Sequence, residues 1–375
     1  MRKLSIPLLF MTVMSLLCGC VYFDDSNYSN YGNYSVTSDP HRNSEYIGSD
    51  EELYNAIYEH LSAFKTEMSF YGAVDSDKIF NTYKRVANDH AELFWTGSSS
   101  VATSGNSDVH DFSVSPSDIN ISMDEVKTMC GKISDAADSI IDDIPEGASD
   151  WEKILFVHDS IIRKTWYQSD DTDDFTNSVY GCLVRGQSQS TGYSEAFKYI
   201  MNLLGFECGI VSNDSRKWNY IKLDGKYYWV DLTWDDPSYE NDDGVTNFTH
   251  YYFMSDDEHF GIDHNLKKGN NFFVPECDSY DRYFYIEDGS YLNSFDPVRV
   301  ADVISRHYKE KKAEIMFEDD PAYQMAVKLM GEGVGSAELY GALPEGWGIS
   351  YGRDDEKMII SLFFSPGEQQ ESTAE

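Results

Sequence analysis

Apolar residues recur at helical spacing in several stretches of the chain. Leu53, Ile57, Leu61 and Phe64 follow Ser49-Asp50-Glu51-Glu52, an N-cap with an acidic first turn, and predict a helix. Ile79, Tyr83 and Val86 mark a second, shorter helix. Ser122 opens a long one carrying Met123, Val126, Cys130, Ile133, Ala137, Ile140 and Ile141. Residues 151–166 place Ile154, Leu155, His158, Ile161 and Ile162 on one face, and Tyr193, Phe197, Ile200, Met201 and Leu204 form a stripe closed by Gly205. Strands are expected at Glu92–Trp95, Phe112–Val114, Cys208–Val211, and on either side of Asp224-Gly225, a two-residue hairpin turn. The Ser/Gly-rich run 97–108 reads as a hairpin tip or loose loop. Farther on, Val298, Val303, Ile304 and Tyr308 suggest a helix, 313–317 a strand, 322–329 a helix, and 348–364 a hairpin. The fold class is therefore α+β. It comprises an α-rich region over 50–145, a central domain over 146–277, a small α+β module over 278–365 and a polar tail over 366–375.

The first fifty residues carry a different pattern. Arg2 and Lys3 precede a short, interrupted apolar run from Leu4 to Leu17, too short to span a bilayer comfortably. It ends in Leu17-Cys18-Gly19-Cys20, which resembles a bacterial lipoprotein signal over 1–20, with Cys20 as the lipid-modified residue. Residues 21–49 follow, with Tyr28, Tyr31 and Tyr34 among Asn, Ser and Gly, and read as a flexible tether. The expectation is a protein anchored by lipid to the extracytoplasmic face of the cell membrane. The chain has 29 Lys+Arg against 65 Asp+Glu, a formal net charge of −36. That charge disfavours nucleic acid and anionic membrane surfaces as partners, so membrane contact is expected through the anchor alone.

Of six cysteines, Cys130, Cys182, Cys208 and Cys277 lie beyond the signal. They form no CxxC pair and read as buried free thiols; sequence leaves a Cys182–Cys208 disulfide open. The acidic run Asp170–Asp174 lacks the spaced ligands of a calcium loop and reads as a solvated charge run. His158, on an apolar stripe, reads as a satisfied core residue. His250, His259 and His264 have no diagnostic zinc spacing, and Gly331–Gly335 lacks the Lys-Ser/Thr of a phosphate loop. No metal and no cofactor is expected.

The chemistry concentrates where the loop Gly186–Gln189 runs into the Tyr193 helix. Ser190 falls near a helix N-terminus, where free N–H groups favour a nucleophile. The hairpin that follows puts Arg216 diagonal to Asp231, within reach of an ion pair. Gly192-Tyr193, Trp218-Asn219, Asp224-Gly225 and Trp229–Asp236 together resemble the bacterial transglutaminase-like superfamily. The resemblance is specific over about 151–237 and implies a papain-type fold. It also implies a catalytic Cys, His and Asp at the positions held here by Ser190, Arg216 and Asp231, so only the acid matches. A serine needs an adjacent base, and a guanidinium cannot act as one. The resemblance thus implies an inactive domain that binds a peptide, protein or cell-wall ligand in a relict cleft lined by Tyr193, Trp218, Trp229 and Trp234. Two other classes remain: a peptidase or acyl transferase using Ser190, and a structural assembly subunit. An imidazole within hydrogen-bond reach of Ser190 would discriminate them.

Overall fold

The computed structural model describes residues 44–103, 108–118, 120–168, 175–236, 248–266 and 271–366. The signal with Cys20, most of the tether, the acidic run 170–174 and most of the tail lie outside them. The chain divides into two compact units, residues up to Val86 with Gly97–Pro116, and Ala87–Thr96 with everything from Ser117 onward.

The first unit contains β1 (Glu45–Ile47), α1 (Asp50–Ser62), β2 (Glu67–Gly72), most of α2 (Ser76–Asp89), β3 (Thr96–Thr103) and β4 (His110–Pro116). Its sheet runs β1-β2-β4-β3. Ser49 caps α1 by accepting from the Glu52 N–H, and Leu53, Ala56, Ile57 and Leu61 are its buried face. Ile79, Tyr83 and Val86 are buried on α2, as their spacing predicts. Two expectations are corrected. Glu92–Trp95 is not a strand: Ala91–Leu93 forms a 3₁₀ turn. The strand begins at Thr96 and runs to Thr103, within the segment read as a hairpin tip or loose loop. The run Thr96–Thr103 alternates poorly in hydrophobicity, so its pairing with β4 is set by the hairpin rather than by a buried face.

The second unit begins with α3 (Met123–Asp142) and α4 (Asp150–Lys164), each opened by a capping box, Ser122/Glu125 and Ser149/Glu152. The short parallel pair β5 (Trp166–Tyr167) and β6 (Gln187–Ser188) leads into α5 (Ser190–Leu203). Then come β7 (Cys208–Ser212), β8 (Lys217–Leu223), β9 (Lys226–Val230), α6 (Leu232–Asp235) and β10 (Phe253–Ser255), with the sheet ordered β10-β9-β8-β7. One continuous core joins α3, α4, α5 and this sheet with Tyr283–Tyr285, Met316 and Ile359. The remaining elements are α7 (Asp257–Phe260), α8 (Phe284–Glu287), β11 (Tyr291–Leu292), α9 (Pro297–His307), β12 (Lys312–Phe317), α10 (Asp320–Gly331), α11 (Ser336–Gly341), β13 (Trp347–Asp354) and β14 (Ile359–Pro366). The sheet β11-β12-β14-β13 and helices α9–α11 enclose a smaller core of their own. The architecture is α+β. The expected boundaries at 145/146 and 277/278 are not where the compact units part: α3 and the residues after 277 share the central core, because the aromatic run Tyr283–Tyr285 is buried in it.

Candidate functional site

Ser190 is the first residue of α5, after Gln189 in extended conformation. Gly192 makes that position possible. A Cβ there would meet Ser188 Oγ at 2.0 Å and the Ser178 carbonyl oxygen at 2.4 Å, so α5 starts directly against the preceding loop. The helix then packs on β8: Asn219 Nδ2 donates to the Ser194 carbonyl at 2.9 Å, and the Lys217 N–H donates to Ser190 Oγ at 3.3 Å. The Asp224-Gly225 turn has positive φ at both residues, 52° and 82°, and pairs Leu223 with Lys226 as expected.

The ladder ends at Asn219–Val230, one pair before the expected Trp218–Asp231 pair. Asp231 instead turns the chain into α6, its Oδ1 accepting from the N–H groups of Thr233 (2.8 Å) and Trp234 (3.2 Å). Its Oδ2 meets His264 Nε2 at 2.9 Å. The predicted Arg216–Asp231 ion pair is therefore overturned. Arg216 is exposed, and its guanidinium lies over the Trp234 ring, 4.4 Å from the centroid. His264 is the residue that sequence reasoning missed. Its other nitrogen, Nδ1, meets Asp263 Oδ1 at 2.7 Å, and Asp263 also accepts from the Tyr252 hydroxyl. Burial opposes charge on this imidazole, but the hydrogen bonds and charges of Asp231 and Asp263 outweigh it and raise its pKa. Both ring nitrogens face carboxylate oxygens, and the ring is enclosed by Trp218, Trp234, Tyr252 and Phe260.

The aromatic residues expected to line a cleft are mostly core. Tyr193, Trp218 and Trp229 are 1%, 1% and 0% exposed; only Trp234 is half-buried. Tyr193 donates to Asp236 Oδ2 at 2.6 Å, and Trp229 Nε1 to Asp257 Oδ1 at 2.7 Å. The reason is the alternation of β8 and β9: Asn219 faces α5, so Trp218 and Trp229 lie on the opposite face of the sheet, where Phe260 and, for Trp218, His264 cover them. A cavity of about 640 Å³ does lie nearby, lined by Trp229, Asp257, Ile262, His264, Leu266 and Val274. At its rim Ile262 and Val274 are exposed, as are Phe272 and Phe273 close in sequence.

Cys182, Cys208 and Cys277 are buried free thiols, and Cys130 is a half-buried one, so Cys182 and Cys208 form no disulfide. Burial pushes the Cys182 thiol up to about 12, which leaves it without thiolate character at neutral pH. His158 is fully buried and hydrogen-bonded, with Nδ1 3.0 Å from Asp159 Oδ1 and Nε2 3.2 Å from Asp235 Oδ2. His259 pairs with Asp256. His250, distant in sequence, comes to the same carboxylate as His158, its Nε2 3.0 Å from Asp159 Oδ1. Sequence spacing carried no signal for that meeting, because α4 and the segment before β10 are brought together only by the core.

No protein-family model matches the chain, and no curated protein matches it. Several solved structures are similar to parts of it, three of them as follows. A TGase is 12% identical with a TM-score of 0.29, over 63% of this chain and 70% of its own. A protein from Cytophaga hutchinsonii titled a "Putative Cysteine Protease" is 9% identical with a TM-score of 0.23, over 37% of this chain and 65% of its own. Menin, described with its binding site for Mixed Lineage Leukemia protein, is 13% identical with a TM-score of 0.25, over 59% and 47%.

Proposed function

We propose that this chain is a transglutaminase-like protein whose catalytic positions are chemically inert, held by a lipid on Cys20 at the extracytoplasmic face of the cell membrane, and that it binds a peptide, protein or cell-wall ligand. The observation that carries the inert reading is the environment of the three positions. Among the described residues, the hydrogen bond to Ser190 Oγ comes from the Lys217 backbone N–H, and no imidazole reaches it. Asp231 is occupied on both oxygens by the α6 amides and His264. His264 is engaged at both ring nitrogens, with Asp263 and Asp231, and among the described residues makes no hydrogen bond to Ser190. His158 is similarly committed to Asp159 and Asp235, which argues against its recruitment to Ser190. Arg216 supplies a permanent cation where a transferable proton is needed.

What supports a ligand surface is the exposed apolar residues Ile262 and Val274 at the cavity rim, with Phe272 and Phe273 exposed next to Val274 in sequence, rather than the buried tryptophans. Chemistry is tested by reconstruction. Ser190→Cys with Arg216→His should recover thiol-dependent peptide hydrolysis or amine transfer only weakly, because Asp231 is held by His264. Strong recovery would mean that Asp231 is free to orient a new imidazole. No recovery at all, in a folded variant, would count against the transglutaminase-like alignment of these positions.

A further inference from the structure

We propose that His158, Asp159 and His250 are the ligands of a divalent first-row transition-metal ion. The cluster is separate from Ser190, Arg216 and Asp231, and it opens on a cavity of about 720 Å³ lined by Asp159, Arg163, Phe248, His250, Phe284 and Lys312.

One nitrogen of each histidine and one Asp159 oxygen lie within 4.8 Å of one another. His158 Nδ1 and His250 Nε2 are each 3.0 Å from Asp159 Oδ1. Metal–ligand bonds of about 2.0–2.2 Å place neighbouring ligand atoms roughly 3–3.4 Å apart, so these two edges already have the right length. Two imidazoles and one carboxylate are a common donor set for such ions, and they leave positions for water or an added ligand. His158 is fully buried, whereas Asp159 and His250 are each 13% exposed, so the open side faces the cavity.

What lies behind the donors strengthens the assignment. A metal-bound histidine characteristically gives its second N–H to a carboxylate, which fixes the ring. Both have a carboxylate in that place here: His158 Nε2 faces Asp235 Oδ2 at 3.2 Å, and His250 Nδ1 faces Glu314 Oε2 at 3.3 Å. Those carboxylates are anchored in turn. Asp235 Oδ1 accepts from the Tyr252 N–H and the Thr249 hydroxyl, each at 3.0 Å. Glu314 Oε1 is 3.1 Å from Lys312 Nζ, and its Oε2 accepts from the Tyr285 hydroxyl at 3.3 Å. Phe284 stacks on His250 with ring centroids 3.9 Å apart. The second Asp159 oxygen accepts from Arg163 at 3.0 Å, leaving Oδ1 for the ion.

The test is a Co²⁺ titration of the purified protein after EDTA treatment and desalting, followed by visible d–d absorption, with Zn²⁺ as competitor. One intense band should saturate at one ion per chain and disappear on adding Zn²⁺. His250→Ala and Asp159→Asn should each abolish the band; Glu314→Gln should weaken binding ~10–100-fold. His259→Ala, outside the cluster, should leave it unchanged. Absence of a band and of Zn²⁺ binding in the wild type would overturn the proposal without reference to any variant. A band that survives both His250→Ala and Asp159→Asn would do the same and place the ion elsewhere.

Discussion

At the scale of single residues, the decisive contact is Asp231 with His264, both about 1% exposed. Sequence placed Asp231 correctly at the end of the returning strand but gave it the wrong partner. The register from the Asp224-Gly225 turn holds as far as Val230, then the chain bends into α6 and swings the carboxylate away from Arg216. His264 carried no signal, since its place depends on the fold of 248–266 over β9. Removing one member of a buried pair costs about 3–5 kcal/mol, so His264→Ala should lower stability by that order in urea unfolding. Little change would mean that the pair is dispensable. The pH dependence has a definite sign. His264 has a raised folded pKa, as has His307, to about 9, where burial is outweighed by Asp288 and Glu310. Their contributions are complete below about pH 6.5, the unfolded histidine value, and are lost as pH rises through the folded values. Asp263, whose pKa is lowered by its hydrogen bonds to His264 and Tyr252 against the cost of burial, contributes above about pH 4 and loses that contribution in acid. The melting temperature in EDTA should fall between pH 6 and 9, and fall less in His264→Ala. A rise across that interval would contradict the assignment.

At the scale of elements, capping and turn chemistry made most of the fold legible. Ser49, Ser122 and Ser149 each cap a helix by accepting from the residue three positions on. The hairpin turn was readable because few residue pairs other than Asp-Gly favour φ > 0 at two successive positions. Gly225→Ala, at φ 82° with open space around it, should cost about 1 kcal/mol from backbone strain alone. Gly192→Ala should cost clearly more, because its Cβ would run into the Ser178 carbonyl and Ser188 at the start of α5. Comparing the two variants by thermal unfolding checks that ranking; equal losses would mean that the start of α5 relaxes freely. The strand expected at Glu92–Trp95 failed for the converse reason. Its apolar run is also compatible with a 3₁₀ turn, and only the burial of Ala91, Leu93 and Trp95 decides between them. The buried positions of Tyr193, Trp218 and Trp229 were equally illegible, because an aromatic on a strand fits a core and a cleft alike.

At the scale of the whole molecule, the α+β class was legible, whereas the compact units were not, because contacts between distant segments set them. The aromatic run Tyr283–Tyr285 looks like the start of a module and is packed into the central core. No described helix is long and apolar enough to cross a membrane. Membrane attachment therefore rests on the proposal for Cys20: mass spectrometry of the protein expressed in a bacterium should find a diacylglyceryl-modified Cys20 as the first residue. An unmodified N-terminus elsewhere would remove the anchor.

The proposal that Ser190, Arg216 and Asp231 are chemically inert is tested most directly by turnover. Wild type and Ser190→Ala should be compared for peptide hydrolysis and for amine incorporation into a glutamine-containing substrate. Among the described residues Ser190 Oγ has a backbone N–H as its partner and no base to take its proton at neutral pH, and helix-terminal N–H groups alone leave a small acceleration. Both proteins should give the same background rate. A rate above background that disappears in Ser190→Ala would contradict the account and require a base beside Ser190.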